Sequence, residues 1–96
     1  MELIMHSGDG KSYAFEAIQY AKANEFEQAE EKLALAKEAL LEAHHAQTNM
    51  LTEEAKGNRL DISLLTIHSQ DHLMTSMTFM DLATEIIDIY KKLDQS

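Results

Sequence analysis

Apolar and small side chains recur at steps of three and four along nearly the whole chain, which is the period of helices packed against one another. The clearest stretch is Phe26, Ala29, Leu33, Ala36, Leu40, Ala43, Gln47 and Met50, a seam of the kind that bundle helices share. Asn24 followed three residues later by Glu27 has the form of a capping box, so the spacing predicts a helix start there. Gly57, directly after Lys56, suits the left-handed residue that ends such a helix.

An earlier segment, Met1 to about Ala23, carries Leu3, Ile4, Tyr13, Phe15, Ala17, Ile18 and Ala21, interrupted by Ser7, Gly8, Asp9 and Gly10. Each glycine costs about 1 kcal/mol relative to alanine inside a helix. Periodicity admits two readings, a turn at the glycines or a continuous helix that uses them for a close crossing. Asp61 is expected to cap a third helix running from about Ile62 to Leu93, because no Gly or Pro intervenes and Lys91 and Lys92 sit where cations are favoured. The predicted fold is all-α, an antiparallel three-helix bundle forming a single domain over residues 1–96.

Composition strengthens that expectation. The seven best helix formers supply 54 of the 96 residues, and valine is absent. Leu, Ile and Phe make 22 of 96, only just enough apolar bulk for a chain of net charge -9 to fold. A core this small makes self-association a natural expectation. With 17 acids, 8 bases and a single Arg, the chain lacks the clustered cations that nucleic-acid binding requires, so a basic partner protein fits better. The absence of Cys excludes thiolate chemistry and fits a cytoplasmic protein. No apolar run approaches the roughly 18 residues of a membrane span, and the first residues lack a signal-peptide layout.

The third helix has more apolar circumference than a three-helix monomer covers. At 100° per residue, Leu64, Asp71, Thr75, Thr78, Leu82 and Ile89 fall within about 60° of one another. Ile62, Leu73, Met77 and Met80 make a second face, and Leu65, Phe79, Ala83 and Tyr90 a third. Such a helix belongs at the centre of an oligomer. In a cyclic oligomer seamed by the first stripe, one Asp71 from each chain reaches the axis. There the carboxylates must protonate or hold a hard divalent cation such as Mg²⁺ or Ca²⁺.

His68, Gln70, Asp71 and His72 crowd two imidazoles, an amide and a carboxylate into five residues, with the imidazoles one helical turn apart. Zinc would need a third ligand that no spacing supplies, and the motif lacks the glutamate of HExxH. General acid-base catalysis would need a paired acid or nucleophile. A histidine that itself carries a group covalently is the third possibility. His44, His45 and Gln47 form a second polar cluster late in the second helix, able to approach His68 across a subunit boundary.

The run Ile67-His-Ser-Gln-Asp-His-Leu-Met-Thr75, preceded by Glu42-Ala-His-His-Ala-Gln-Thr48, closely resembles the lactose/cellobiose-type enzyme IIA of the bacterial phosphoenolpyruvate-dependent sugar phosphotransferase system. The resemblance spans nearly the whole chain. It implies a homotrimer whose third helices lie near the axis, with His68 as the phosphorylated residue and Asp71 of each subunit holding one Mg²⁺. Gln70, His72 and, across an interface, Gln47 are the expected supporting residues. The resemblance further implies a phosphotransferase component that accepts phosphate from HPr and passes it to a cysteine of enzyme IIB. The cargo would be a β-linked disaccharide, cellobiose, chitobiose or lactose, taken up through the IIC channel. Family members usually begin roughly ten residues earlier, so the resemblance implies a start inside the first helix, and the family's first helix runs through the region matching Ser7–Gly10, which favours continuity over a turn there. A non-catalytic trimeric scaffold with incidental histidines is the competing expectation.

Overall fold

The computed structural model describes residues 2–57 and 64–95, and these form three helices: α1 (Glu2–Lys22), α2 (Phe26–Ala55) and α3 (Leu64–Asp94). They lie side by side in a rod of 57 × 19 × 17 Å. Leu3 meets Ala43 and Leu73 near one end, while Ala21 meets Ala29 and Ile87 near the other, so α2 runs against α1 and α3. The expected cap at Asp61 and the start at Ile62 lie outside the described residues, as do the side chains of Leu64 and Leu65. Among the described residues no helix is long and apolar enough to cross a membrane.

The helix α1 is continuous through both glycines, which settles the choice that periodicity left open. Its inward seam is Leu3, Ser7, Gly10, Ala14, Ala17 and Ala21, almost all small, so α2 can approach its backbone closely. A Cβ added at Gly10 would lie 2.6 Å from both Cγ and Cδ2 of Leu40, and 3.4 Å from the carbonyl oxygen of Ala36. Leu40 therefore occupies the space that a side chain at position 10 would need. The bulk that α1 lacks comes from its partners, with Leu33 and Leu40 on α2 and Leu73 and Ile87 on α3. Phe15 stands 54% exposed, off this inward seam of small residues.

The α1–α2 connection differs from the capping-box expectation. Asn24 has φ 61°, the left-handed conformation, and its amide donates to the Ala21 carbonyl while the Glu25 amide donates to that of Tyr20. That is a Schellman ending of α1, in which asparagine is the usual substitute for glycine. The Ala29 amide bonds to the Glu25 carbonyl, so Glu25 is the residue from which α2 starts. At the other end of α2, Gly57 has φ 88° and terminates the helix as its position predicts. Ion pairs Lys32–Glu16 at 3.1 Å and Lys91–Glu30 link α2 to α1 and to α3; the Glu16 hydrogen bond and charge hold Lys32 above the usual lysine range.

Replacing Gly10 by Val should destabilise the fold by about 1–3 kcal/mol in urea unfolding through overpacking against Leu40. Gly8→Ala should leave stability unchanged or raise it by up to about 1 kcal/mol, since a Cβ there meets only ordinary contact at 3.6 Å. Ser7 and Ser76 are fully buried, and their hydroxyls have no hydrogen-bond partner among the described residues. Ser76→Ala should therefore raise the unfolding free energy by about 1 kcal/mol in the same titration.

Candidate functional site

Burial of Ser69 and Leu73 on the inner side of α3 fixes how the helix is rotated, and the residues around them are thereby aimed outward. His68 is exposed and His72 half-buried. Their rings lie 5.9 Å apart between centroids with 15° between planes, one turn above the other. Next to them is α1, which passes close to His72 at Gly8: an added Cβ there would lie 3.6 Å from its Nε2, an ordinary contact distance. Thr75 Oγ1 donates to the His72 carbonyl at 3.1 Å. The lower ring is thus confined by α1, while the upper one projects into solvent.

Gln70 lies two residues beyond His68, roughly 160° around the helix, and so faces α2. There Gln47 Nε2 donates to Gln70 Oε1, a side-chain bond that joins α2 to α3 within one chain. Of the supporting residues expected from sequence, only His72 shares a side of α3 with His68 in the same chain. The two glutamines join α3 to α2 behind the site, so Gln47 pairs with Gln70 inside the chain. His44 and His45 are exposed on α2.

Asp71 is exposed, and its direction is informative. The core side of α3 is Ser69, Leu73, Ser76, Met80, Ala83 and Ile87; Asp71, Thr78, Leu82 and Ile89 point the opposite way. This outer side is markedly apolar, with Ile67, Met74, Leu82, Ile86, Ile89 and Leu93 between 36% and 63% exposed. Thr75 and Thr78 donate their hydroxyls to the helix carbonyls of His72 and Met74, so these side chains make few polar demands on a neighbour. Asp71 thus lies on the exposed side of α3, flanked there by Ile67, Met74, Ile86 and Leu93.

Chemically, an exposed imidazole offers a ring nitrogen that can act as a nucleophile. Among the described residues no three His, Cys, Asp or Glu side chains gather within the chain to hold a metal, so the zinc arrangement finds no ligand set here. Sequence reasoning did not connect Gly8 with His72. Gly8 stands among Ser7, Asp9 and Gly10, which offered no such signal, and its place beside His72 could be known only from the packing of α1 on α3.

Comparison with known proteins agrees with this geometry. Residues 1–91 match the family model described as PTS system, Lactose/Cellobiose specific IIA subunit. The chain is 46% identical over 94 residues to the lichenan-specific phosphotransferase enzyme IIA component of Bacillus subtilis, covering 98% of this chain and 86% of that one. It is 40% identical over 93 residues to the N,N'-diacetylchitobiose-specific EIIA component of Escherichia coli, covering 97% and 80%. The crystal structure of the PTS cellobiose-specific enzyme IIA from Bacillus anthracis superposes with a TM-score of 0.96 at 48% identity, covering 99% of this chain and 87% of that one. The IIA(Chitobiose) of the solution IIA(Chitobiose)–HPr complex from Escherichia coli superposes with a TM-score of 0.84 at 38% identity, covering 96% and 89%. Helix order, the packing of α3 and the matched length together place the chain in the lactose/cellobiose-specific IIA family of the sugar phosphotransferase system.

Proposed function

We propose that this chain accepts a phosphoryl group from HPr on His68 and passes it to a cysteine of enzyme IIB. Membership of the IIA family makes it a phosphotransferase component of sugar transport. The observation that carries the residue assignment is the exposure of His68 beside a half-buried His72. In the transfer, Nε2 of His68 forms a bond to phosphorus as the donor's phosphorus–nitrogen bond breaks. In the onward step that bond breaks in turn as a thiolate attacks. Exchange between two phosphohistidines is close to balanced in energy, so approach and alignment matter more than proton transfer. A second imidazole 5.9 Å away restricts the range of His68 orientations, and α1 at Gly8 keeps that second ring in place.

The working unit in this reading is a homotrimer with the outer stripe of α3 at its axis. The stripe points away from the chain's own core, and an apolar band of this length is usually covered by another protein surface. Three Asp71 carboxylates then converge. Their hard oxygens suit Mg²⁺, which would offset their mutual repulsion. Names of the relatives span lichenan, cellobiose, lactose, galactose and N,N'-diacetylchitobiose. The relay is common to them all, and a β-linked disaccharide, cellobiose or chitobiose foremost, is the proposed cargo.

Incubation with phosphoenolpyruvate, enzyme I and HPr should add the mass of one phosphoryl group per chain. His68→Ala should abolish the gain and His72→Ala retain it, though more slowly. Intact-mass spectrometry decides: no gain in the native chain with active upstream proteins would favour an incidental role for the histidines. Asp71→Leu should sediment as a trimer but lose bound magnesium in elemental analysis, since three apolar side chains can fill the seam without a cation. A native protein that sediments as a monomer at micromolar concentration would contradict the assembly.

A further inference from the structure

The bond between Gln47 and Gln70 engages only one end of the Gln70 amide. Its Oε1 accepts from Gln47 Nε2, and the two hydrogens on Gln70 Nε2 take no part in that bond. Gln70 is half-buried, and α2 covers its side of α3 incompletely. Met77, seven residues further on and about 20° away around the helix, is 41% exposed and lines the open cleft between α2 and α3. A pinned amide therefore stands at one edge of α3. His68 stands at the other: it lies about 60° to one side of Asp71 around the helix, and Gln70 about 100° to the opposite side.

Within one chain these two edges face apart, but in the trimer read above they face each other. When Asp71 points at a threefold axis, the neighbouring α3 helices lie about 30° to either side of the axis direction, so the His68 edge of one subunit and the Gln70 edge of the next border the same groove. Rotation about an axis parallel to α3 preserves height, and the two residues are only about 3 Å apart along the helix. That level is set by α3 alone. Side chains extend roughly 5–6 Å from a helix axis and packed helices lie roughly 8–10 Å apart, so an imidazole and an amide turned into one groove at one level come within reach of each other.

We propose that Gln70 of each subunit donates its Nε2 hydrogens to the phosphoryl group carried on His68 of the neighbouring copy. This rests on the trimeric reading and on His68 as the carrier, and adds the residue that meets the phosphoryl oxygens from across the boundary. Gln47, by engaging Oε1, leaves the nitrogen as the end of the amide that can serve an anion. Lys11, the cation that α1 brings to this side of α3, sits over the Phe79 ring, about 16 Å along α3 from His68. A neutral amide holds a phosphoryl group less firmly than a cation would, which suits a group that must leave again.

Gln70→Glu is nearly isosteric and keeps an acceptor for Gln47 Nε2, but it replaces the donor by a carboxylate oxygen. Its homotrimer should take phosphate from phosphorylated HPr about tenfold or more slowly than the native protein in rapid-quench measurements. Gln70→Leu, which adds no charge, should be slowed as well. Mixed trimers then decide which subunit supplies the amide. His68→Ala chains cannot carry phosphate yet keep Gln70. Gln70→Glu chains refolded with an excess of them should regain the native rate, read by intact mass on the Gln70→Glu chains. A native rate in the Gln70→Glu homotrimer, or a slow rate that His68→Ala chains do not restore, would overturn the role of Gln70 and leave the trimer and His68 standing. A native protein that sediments as a monomer would remove the proposal together with the trimer, and a native chain that gains no phosphoryl mass would remove it together with His68.

Discussion

A helix apolar on two opposite sides cannot be satisfied by two neighbours in the same chain, and α3 is such a helix. Leu73, Met80 and Ile87 face inward, while Met74, Leu82 and Ile89 face outward. Everything of functional interest follows from how the inner side is anchored. Once Ser69 and Leu73 are pressed against α1 and α2, Asp71 must point away from the core, Gln70 toward α2, and the two histidines toward the flank that carries α1. Rotating the helix by one residue would bury His72 or Asp71 without partners, at a cost that the few large apolar side chains of the core could not offset.

The close fit of α1 has the same origin. Its inner seam is built from Ser, Gly and Ala, so its backbone comes near enough to α2 for Leu40 to overlie Gly10. Two residues earlier and facing the other partner, Gly8 lies beside His72. Of the two glycines that weaken helix propensity, Gly10 is explained by the contact of another helix, while Gly8 would accept a Cβ at ordinary contact distance from His72.

Much of this was legible in the sequence because seam residues repeat faithfully. Ala29, Leu33, Ala36, Leu40 and Ala43 are buried as their spacing required, and Gly57 adopts the left-handed turn its position called for. The stripe through Asp71 could be drawn from periodicity, and the HSQDHLMT run carried the family resemblance. What escaped depended on competition between local rules. Asn24 obeys two capping rules at once, and the ending of α1 prevailed because its left-handed backbone leaves the start of α2 to Glu25. The pairing of Gln47 with Gln70 required knowing the register of α2 against α3, which no single-helix pattern contains. Which of the apolar residues of α1 turn inward was not legible either, since this seam admits small side chains and leaves Phe15 exposed.

A seam of alanines and serines also limits what one subunit can achieve alone. Alanine removes little hydrocarbon from water, and two buried hydroxyls without partners subtract from the total. If association supplies the difference, heat resistance is not a fixed property of the polypeptide but rises with the number of molecules per volume. A cell that makes little of this protein would then hold a softer version of it than one that makes much.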